Sequence, residues 1–374
     1  MKRLFKYIFR IILIALFTVF LCSSFVYLGM SQIQLGNERK LNENYPKTGI
    51  REEEYVTVNG REYYINIRGE NKKKPVMIMV HGGPGVPMMS SIHMYQRELE
   101  KNFVVVNWDQ YATGKSYEFA DPNFQISIKQ DISDLNGIIN HIRKKLNVNK
   151  VIVTGFSWGT VLSMTYIQNY PEHVAAYIGV GQSVNYKRER LATLKHMEDV
   201  AVVLKSRRKI SVIKRLTKKS KAGIPFNVKD VFDYKMLKRK LLRYEKRLSV
   251  NEHIRIALAS PYYSLWDQRY SVMLNGCNDK LRHYMKKEYD VEKMSKKFSM
   301  PIVFLSGNRD WDSPYILLQK YFQEIDAPYK KMRFLNGCGH SPFKEDPKQT
   351  VSALVTEANK ALNAASRINR KTQY

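Results

Sequence analysis

Five short apolar runs punctuate this chain, at residues 76–80, 104–108, 151–155, 177–180 and 302–306, each bounded by glycine, proline or polar turn residues. Segments of helical periodicity, at 126–146 and 161–169, lie between several of them. A strand that is apolar on both faces must be covered on both, and strands alternating with helices make a mostly parallel sheet. Ahead of the first run, residues 55–58 and 63–67 flank Asn59-Gly60, a tight-turn dipeptide that predicts a β-hairpin. A further short strand is expected at 332–335. The class is therefore α/β.

The alternation lapses between residues 187 and 300, where strand signal is sparse and the residues suit helices, and it resumes at Pro301. That stretch holds 30 Lys and Arg against 12 Asp and Glu, so it carries +18 of the net +28. It reads as a basic helical insertion within one α/β domain. Such a charge concerns partners and solubility and says little about fold.

At the other end, Lys2, Arg3, Lys6 and Arg10 precede twenty uncharged residues, 11–30, and the next charge is Glu38. Twenty helical residues span ~30 Å, the thickness of a bilayer's hydrocarbon core. The basic flank predicts a cytoplasmic N-terminus. The expectation is a single-pass anchor in the cell membrane with the following domain extracytoplasmic; the alternative is a signal peptide, cleaved near Cys22 and Ser24 to release a secreted protein. Residues 31–50 are polar, contain Gly36, Pro46 and Gly49, and read as a linker.

Four signals bear on chemistry. Gly155-Phe156-Ser157-Trp158-Gly159 follows one predicted strand and precedes a helix, the setting a nucleophilic serine on a sharp strand-to-helix turn requires. His81-Gly82-Gly83-Pro84-Gly85 follows another strand and could present backbone N–H groups to an oxyanion. Gly307-Asn308-Arg309-Asp310 supplies a carboxylate after the 302–306 strand, with Asp312 as its rival. Gly339-His340-Ser341-Pro342 places a histidine on a loop after 332–335. The order Ser157, Asp310, His340 is nucleophile, acid, base. A serine hydroxyl needs a base to take its proton, and an imidazole needs a carboxylate to fix its tautomer. Ala112-Thr113-Gly114-Lys115-Ser116 ends like a phosphate-binding loop, but Asp109 stands where the first glycine is required. The three cysteines, Cys22, Cys277 and Cys338, are too scattered for a disulfide framework or a zinc site. No cofactor and no metal are expected.

Together, His81-Gly82-Gly83-Pro84-Gly85, Trp108-Asp109-Gln110 with Gly114 and Ser116, and Gly155-Phe156-Ser157-Trp158-Gly159 resemble the proline iminopeptidase branch of the α/β-hydrolase superfamily. Tyr111 and Ala112 stand where that branch usually has Arg and Gly. The resemblance implies an eight-stranded, mostly parallel sheet with a helical cap. It implies Ser157 as nucleophile, Asp310 as acid, His340 as base, and an oxyanion hole from the N–H groups of Gly83 and Trp158. In the peptidases, acidic cap residues hold the substrate's free amine; Glu189, Glu198, Glu245 and Glu252 are the candidates here.

The organisation expected is an anchor or signal peptide (1–30), a linker (31–50), an α/β-hydrolase core in two parts (51–186 and 301–374) and a basic helical cap insertion (187–300). The function expected is a serine hydrolase acting through an acyl-enzyme on a peptide N-terminus, as a proline iminopeptidase-like aminopeptidase, or on a related amide or ester. The alternatives are a membrane-anchored esterase or lipase-like hydrolase, and a non-catalytic surface protein that binds anionic lipid or polymer through its basic cap. The partners expected are a small-molecule or peptide substrate and membrane lipid, through residues 11–30. The basic cap is a second lipid contact or an ordinary solvated face. Nucleic acid is not expected, because no motif for it accompanies the charge.

Overall fold

All of the apolar runs are strands of one sheet in the computed structural model, which describes residues 2–268 and 276–371. Residues 269–275, part of the predicted insertion, lie outside the described residues. The strands are β1 (Ile50–Val58), β2 (Arg61–Gly69), β3 (Val76–Val80), β4 (Val104–Trp108), β5 (Val151–Phe156), β6 (Val174–Val180), β7 (Ile302–Gly307) and β8 (Lys330–Leu335). Their spatial order is β1-β2-β4-β3-β5-β6-β7-β8. β2 is antiparallel to both its neighbours, and all pairings from β4 to β8 are parallel. Asn59 and Gly60, with φ of 50° and 75°, turn β1 into β2 as the dipeptide predicts.

Helices α2 (Gln96–Glu100), α3 (Ile128–Leu146) and α4 (Trp158–Asn169) connect the first half of the sheet. α3 starts with a capping box, in which Ser127 and Gln130 satisfy each other's backbone donors. It buries Leu135, Ile138, Ile139 and Ile142 on one face. Between β6 and β7 the described elements are helical: α5 (Tyr186–Val203), α6 (Arg207–Lys221), α7 (Val228–Leu241), α8 (Val250–Leu258) and a further helix at Asp279–Lys287. Leu194, Met197, Ile213, Leu216 and Leu241 give α5, α6 and α7 a small core of their own, and Trp311 from the loop after β7 packs against it.

Before the sheet, α1 runs unbroken from Lys2 to Asn42 and is long and apolar enough to cross a membrane. Its apolar side chains, Phe17, Phe20 and Phe25 among them, are exposed. The linker reading of residues 31–50 needs correction. Residues 31–42 continue the helix, because Pro46 is the first residue that would stop it and the lone Gly36 costs only ~1 kcal/mol. This polar end is seated on the globular part. Gln34 donates to the Leu258 and Tyr263 carbonyls at 2.9 and 3.1 Å, and Asn37 to that of Ala259 at 2.8 Å. Arg68 donates to the Leu41 carbonyl at 3.0 Å.

Parallel strands send their C-terminal ends to one edge of the sheet, and side chains from widely separated segments meet there. The turns after β3, β5, β7 and β8 carry His81, Ser157, Asp310 and His340.

Candidate active site

Ser157 sits between β5 and α4 with φ 52° and ψ −118°, a conformation that non-glycine residues rarely adopt. The flanking glycines make that turn possible. A Cβ on Gly159 would drive into the Val80 carbonyl, and one on Gly155 into the backbone of Gly159 and Thr160. The strained turn lifts the Ser157 hydroxyl off the sheet and leaves its N–H bonded to the Val180 carbonyl at 3.0 Å.

The structure brings the three predicted residues together. His340 Nε2 lies 2.8 Å from Ser157 Oγ, and His340 Nδ1 lies 2.8 Å from Asp310 Oδ2. The other oxygen of Asp310 accepts from the backbone N–H of Asp312 at 2.8 Å and of Ser313 at 3.0 Å, so the carboxylate cannot rotate freely. With Asp310 accepting from Nδ1–H, Nε2 is left to accept from the serine. Asp312, the rival acid, pairs with Lys238 instead. Burial opposes its charge, but the Lys238 ammonium and His340 hold its carboxyl down at about 2. Burial also disfavours an imidazolium at position 340, yet Asp310 and then Asp312 outweigh it and push His340 up to about 9. Glu345 holds the His340 loop by accepting from the Gly339 N–H at 2.5 Å and from the Tyr244 hydroxyl at 2.7 Å.

A second network joins the three glycine-rich motifs. Gln110 donates its backbone N–H to His81 Nε2 at 3.0 Å and its amide to the His81 carbonyl at 2.9 Å. It also accepts from the Trp158 indole at 3.0 Å. His81 therefore keeps its proton on Nδ1, facing the Gly82 carbonyl at 2.8 Å, and burial pulls its pKa down to about 4. This arrangement presses the His81–Gly85 turn against the serine: a Cβ on Gly82 would lie 3.3 Å from that of Ser157. Gly83 has φ +123° in this turn. Trp158 is the first residue of α4, where N–H groups have no intrahelical acceptor. Behind the turn, buried Asp109 accepts from the Tyr263 hydroxyl at 2.6 Å and the Lys115 N–H at 2.9 Å, and burial raises it to about 7. Ala112 takes φ +53°, a conformation that suits the glycine usual in the resembled family.

Of the four candidate glutamates, Glu189 feels the charges of Asp310 and His340 but is engaged by its own backbone and side-chain neighbours. Glu189 is buried, but its carboxylate accepts from the Val184 N–H at 2.6 Å and the Ser183 hydroxyl at 3.0 Å, and burial lifts it to about 7. Glu252 closes the capping box of α8 with Ser249 and is exposed, as is Glu245. Glu198 is half-buried on α5. What surrounds His340 instead is a small space of about 40 Å³ lined by Lys238, Leu242, Tyr244, Arg247, Arg309, Trp311 and Asp312. Apart from Asp312, these residues were missed in the sequence. Arg309 stood beside Asp310, but nothing local distinguished Lys238 or Arg247 among thirty basic residues.

The fold and this geometry define an α/β-hydrolase. Residues 75–347 match the model of the alpha/beta hydrolase fold family, and the chain belongs to it as a serine hydrolase. The curated relatives it resembles include a probable aminopeptidase and proline iminopeptidases. A probable aminopeptidase of Bacillus subtilis (strain 168), YbaC, is 26% identical over 310 residues, covering 81% of this chain and 95% of that protein. A proline iminopeptidase of Lactobacillus helveticus (strain DPC 4571) is 25% identical over 319 residues, covering 79% and 93%. Among solved structures, a bacterial membrane phospholipase A matches with a TM-score of 0.60 at 15% identity, covering 95% of this chain and 99% of that one. At that identity it shows the fold alone.

Proposed function

We propose that this chain is a membrane-anchored hydrolase that cleaves an amide or ester through an acyl-enzyme on Ser157. The observation that carries the reading is the continuous hydrogen-bonded line from Ser157 Oγ through His340 to Asp310. Ser157 Oγ adds to the substrate carbonyl carbon while its proton passes to His340 Nε2. The resulting oxyanion is met by the N–H groups of Gly83 and Trp158. The carbon–heteroatom bond then breaks, and His340 returns the proton to the departing nitrogen or oxygen. Water, deprotonated by the same imidazole, attacks the acyl carbon and frees Ser157. Asp310 stabilises the imidazolium and fixes its tautomer throughout. Residues 11–30 hold the enzyme in the membrane with the hydrolase domain outside.

The relatives' names favour release of an N-terminal residue from a peptide. A second reading, hydrolysis of an ester or amide without a free amine, is favoured by the small space beside His340, which Lys238, Arg247 and Arg309 line. Turnover of proline and alanine arylamides against short-chain p-nitrophenyl esters decides between the two. Arylamide turnover above ester turnover supports the peptidase; exclusive ester turnover rejects it. Loss of all turnover in Ser157→Ala is required by both.

A further inference from the structure

The insertion lines an open cavity of about 920 Å³ that adjoins the small space beside His340. Lys238, Arg247 and Asp312 line both. Donor atoms of Asp312, Asp310 and His340 lie within 4.8 Å of one another, so the wall of the cavity at Asp312 stands beside the acid and base of the proposed triad. Among the described residues lining it, Lys and Arg outnumber carboxylates eight to one, and the single carboxylate, Asp312, already pairs with Lys238. Arg190 is fixed in the wall between the rings of Tyr186 and Phe226, 4.5 Å from each centroid. A guanidinium held flat in this way keeps its N–H edge for a planar or tetrahedral anion. Between the cations lies apolar wall: Ile224, Pro225, Phe226, Val231 and Val250.

We propose that this cavity selects an anionic amphiphile: an ester or amide whose acyl part carries a phosphate or carboxylate some carbons from the scissile carbonyl. The proposal rests on Ser157 as nucleophile and names the substrate class of that site. A free ammonium, the mark of a peptide N-terminus, meets repulsion from most of this lining, whereas an anion is attracted and its chain is covered by the apolar wall. Val250, at the start of α8, lines the cavity, and the carbonyls of Leu258 and Ala259, at the other end of α8, accept from Gln34 and Asn37 of α1. A nine-residue helix spans ~13 Å, so the cavity lies within a short reach of the segment that enters the membrane.

Full-length protein in detergent micelles is given three p-nitrophenyl esters of one chain length: hexanoate, the adipate monoester and 6-aminohexanoate. The expected result is a kcat/KM for the adipate above that for the aminohexanoate by about tenfold or more, with the gap narrowing in high salt. In Arg190→Gln and Arg247→Gln the adipate-to-hexanoate ratio, read within each variant, falls toward one. Equal turnover of the three esters, or preference for the ammonium, overturns the proposal. Labelling of Ser157 by a fluorophosphonate in the same preparations reports on the nucleophile separately, so labelled enzyme without anion preference leaves the hydrolase reading standing and this one lost. A binding arm needs no catalysis: Ser157→Ala, followed by tryptophan fluorescence, is expected to bind hexyl phosphate and to ignore hexyltrimethylammonium, and the reverse order also overturns the proposal.

Discussion

His340 Nε2 stands 2.8 Å from Ser157 Oγ, although 183 residues separate the two in the chain. The sheet makes the meeting possible: β5 and β8 are parallel and end at the same edge, so the turn after one faces the turn after the other.

Asp310 and Asp312 favour the imidazolium and push His340 up to about 9, so the neutral imidazole that acts as the base becomes more abundant as pH rises toward that value. The kcat/KM profile is expected to rise with pH along a limb near that value, above the ~6.5 of an ordinary histidine. Asp312→Asn removes one of the anions that favour the imidazolium, so the limb moves to lower pH. A limb unmoved in that variant contradicts this electrostatic account. The same shift links to stability: the imidazolium favours the fold below ~6.5, and the benefit is lost as pH rises through the folded value.

Gly159→Ala places a methyl group against the Val80 carbonyl. Destabilisation of about 1–3 kcal/mol is expected, as for overpacking elsewhere. Chemical denaturation measures it, and the turn at Ser157 should distort enough to cost most of the activity. Full activity and an unchanged midpoint would mean that the close approach is not needed.

Gln110→Ala unties His81 from Trp158 and leaves buried polar groups without partners, a change that costs about 1–3 kcal/mol. The effect on catalysis should fall on kcat more than on KM, because the turn it holds faces the reacting carbonyl. A variant with raised KM and normal kcat would instead make Gln110 part of ground-state substrate binding.

Arg68→Ala should be the most damaging change remote from the site. Arg68 Nε lies 2.7 Å from buried Glu100, and the same guanidinium holds the end of α1 at Leu41. Removing one partner of a buried pair costs about 3–5 kcal/mol. Thermal unfolding of the purified protein checks it, and a loss below 1 kcal/mol would show that Glu100 finds another partner.

The sheet was legible because its strands are apolar on both faces and punctuated by Gly and Pro. The meeting of Ser157, Asp310 and His340 was legible because each follows such a strand, and the order of the three is itself a signal. The end of α1 was not. A polar segment such as 31–42 looks like a linker until its partners, Leu258, Ala259 and Tyr263, are known, and these are more than 200 residues away. The cavity was hidden for a similar reason. Charge density showed that the insertion is basic, but which cations turn inward depends on how α5, α6 and α7 pack, and the amphipathic pattern of one helix does not reveal it. The glutamates illustrate the converse: Glu189 is buried as expected of a functional acid, yet its carboxylate accepts from the Ser183 hydroxyl and the Val184 N–H.

The account depends above all on Ser157 being the atom that is acylated. A fluorophosphonate probe followed by peptide mapping tests this directly. Labelling is expected on the peptide that contains Ser157, absent in Ser157→Ala, and reduced at least a hundredfold in His340→Ala, in line with the ~10²–10⁴-fold contribution of a positioned base. A folded Ser157→Ala variant that labels as fast as the wild type would contradict it.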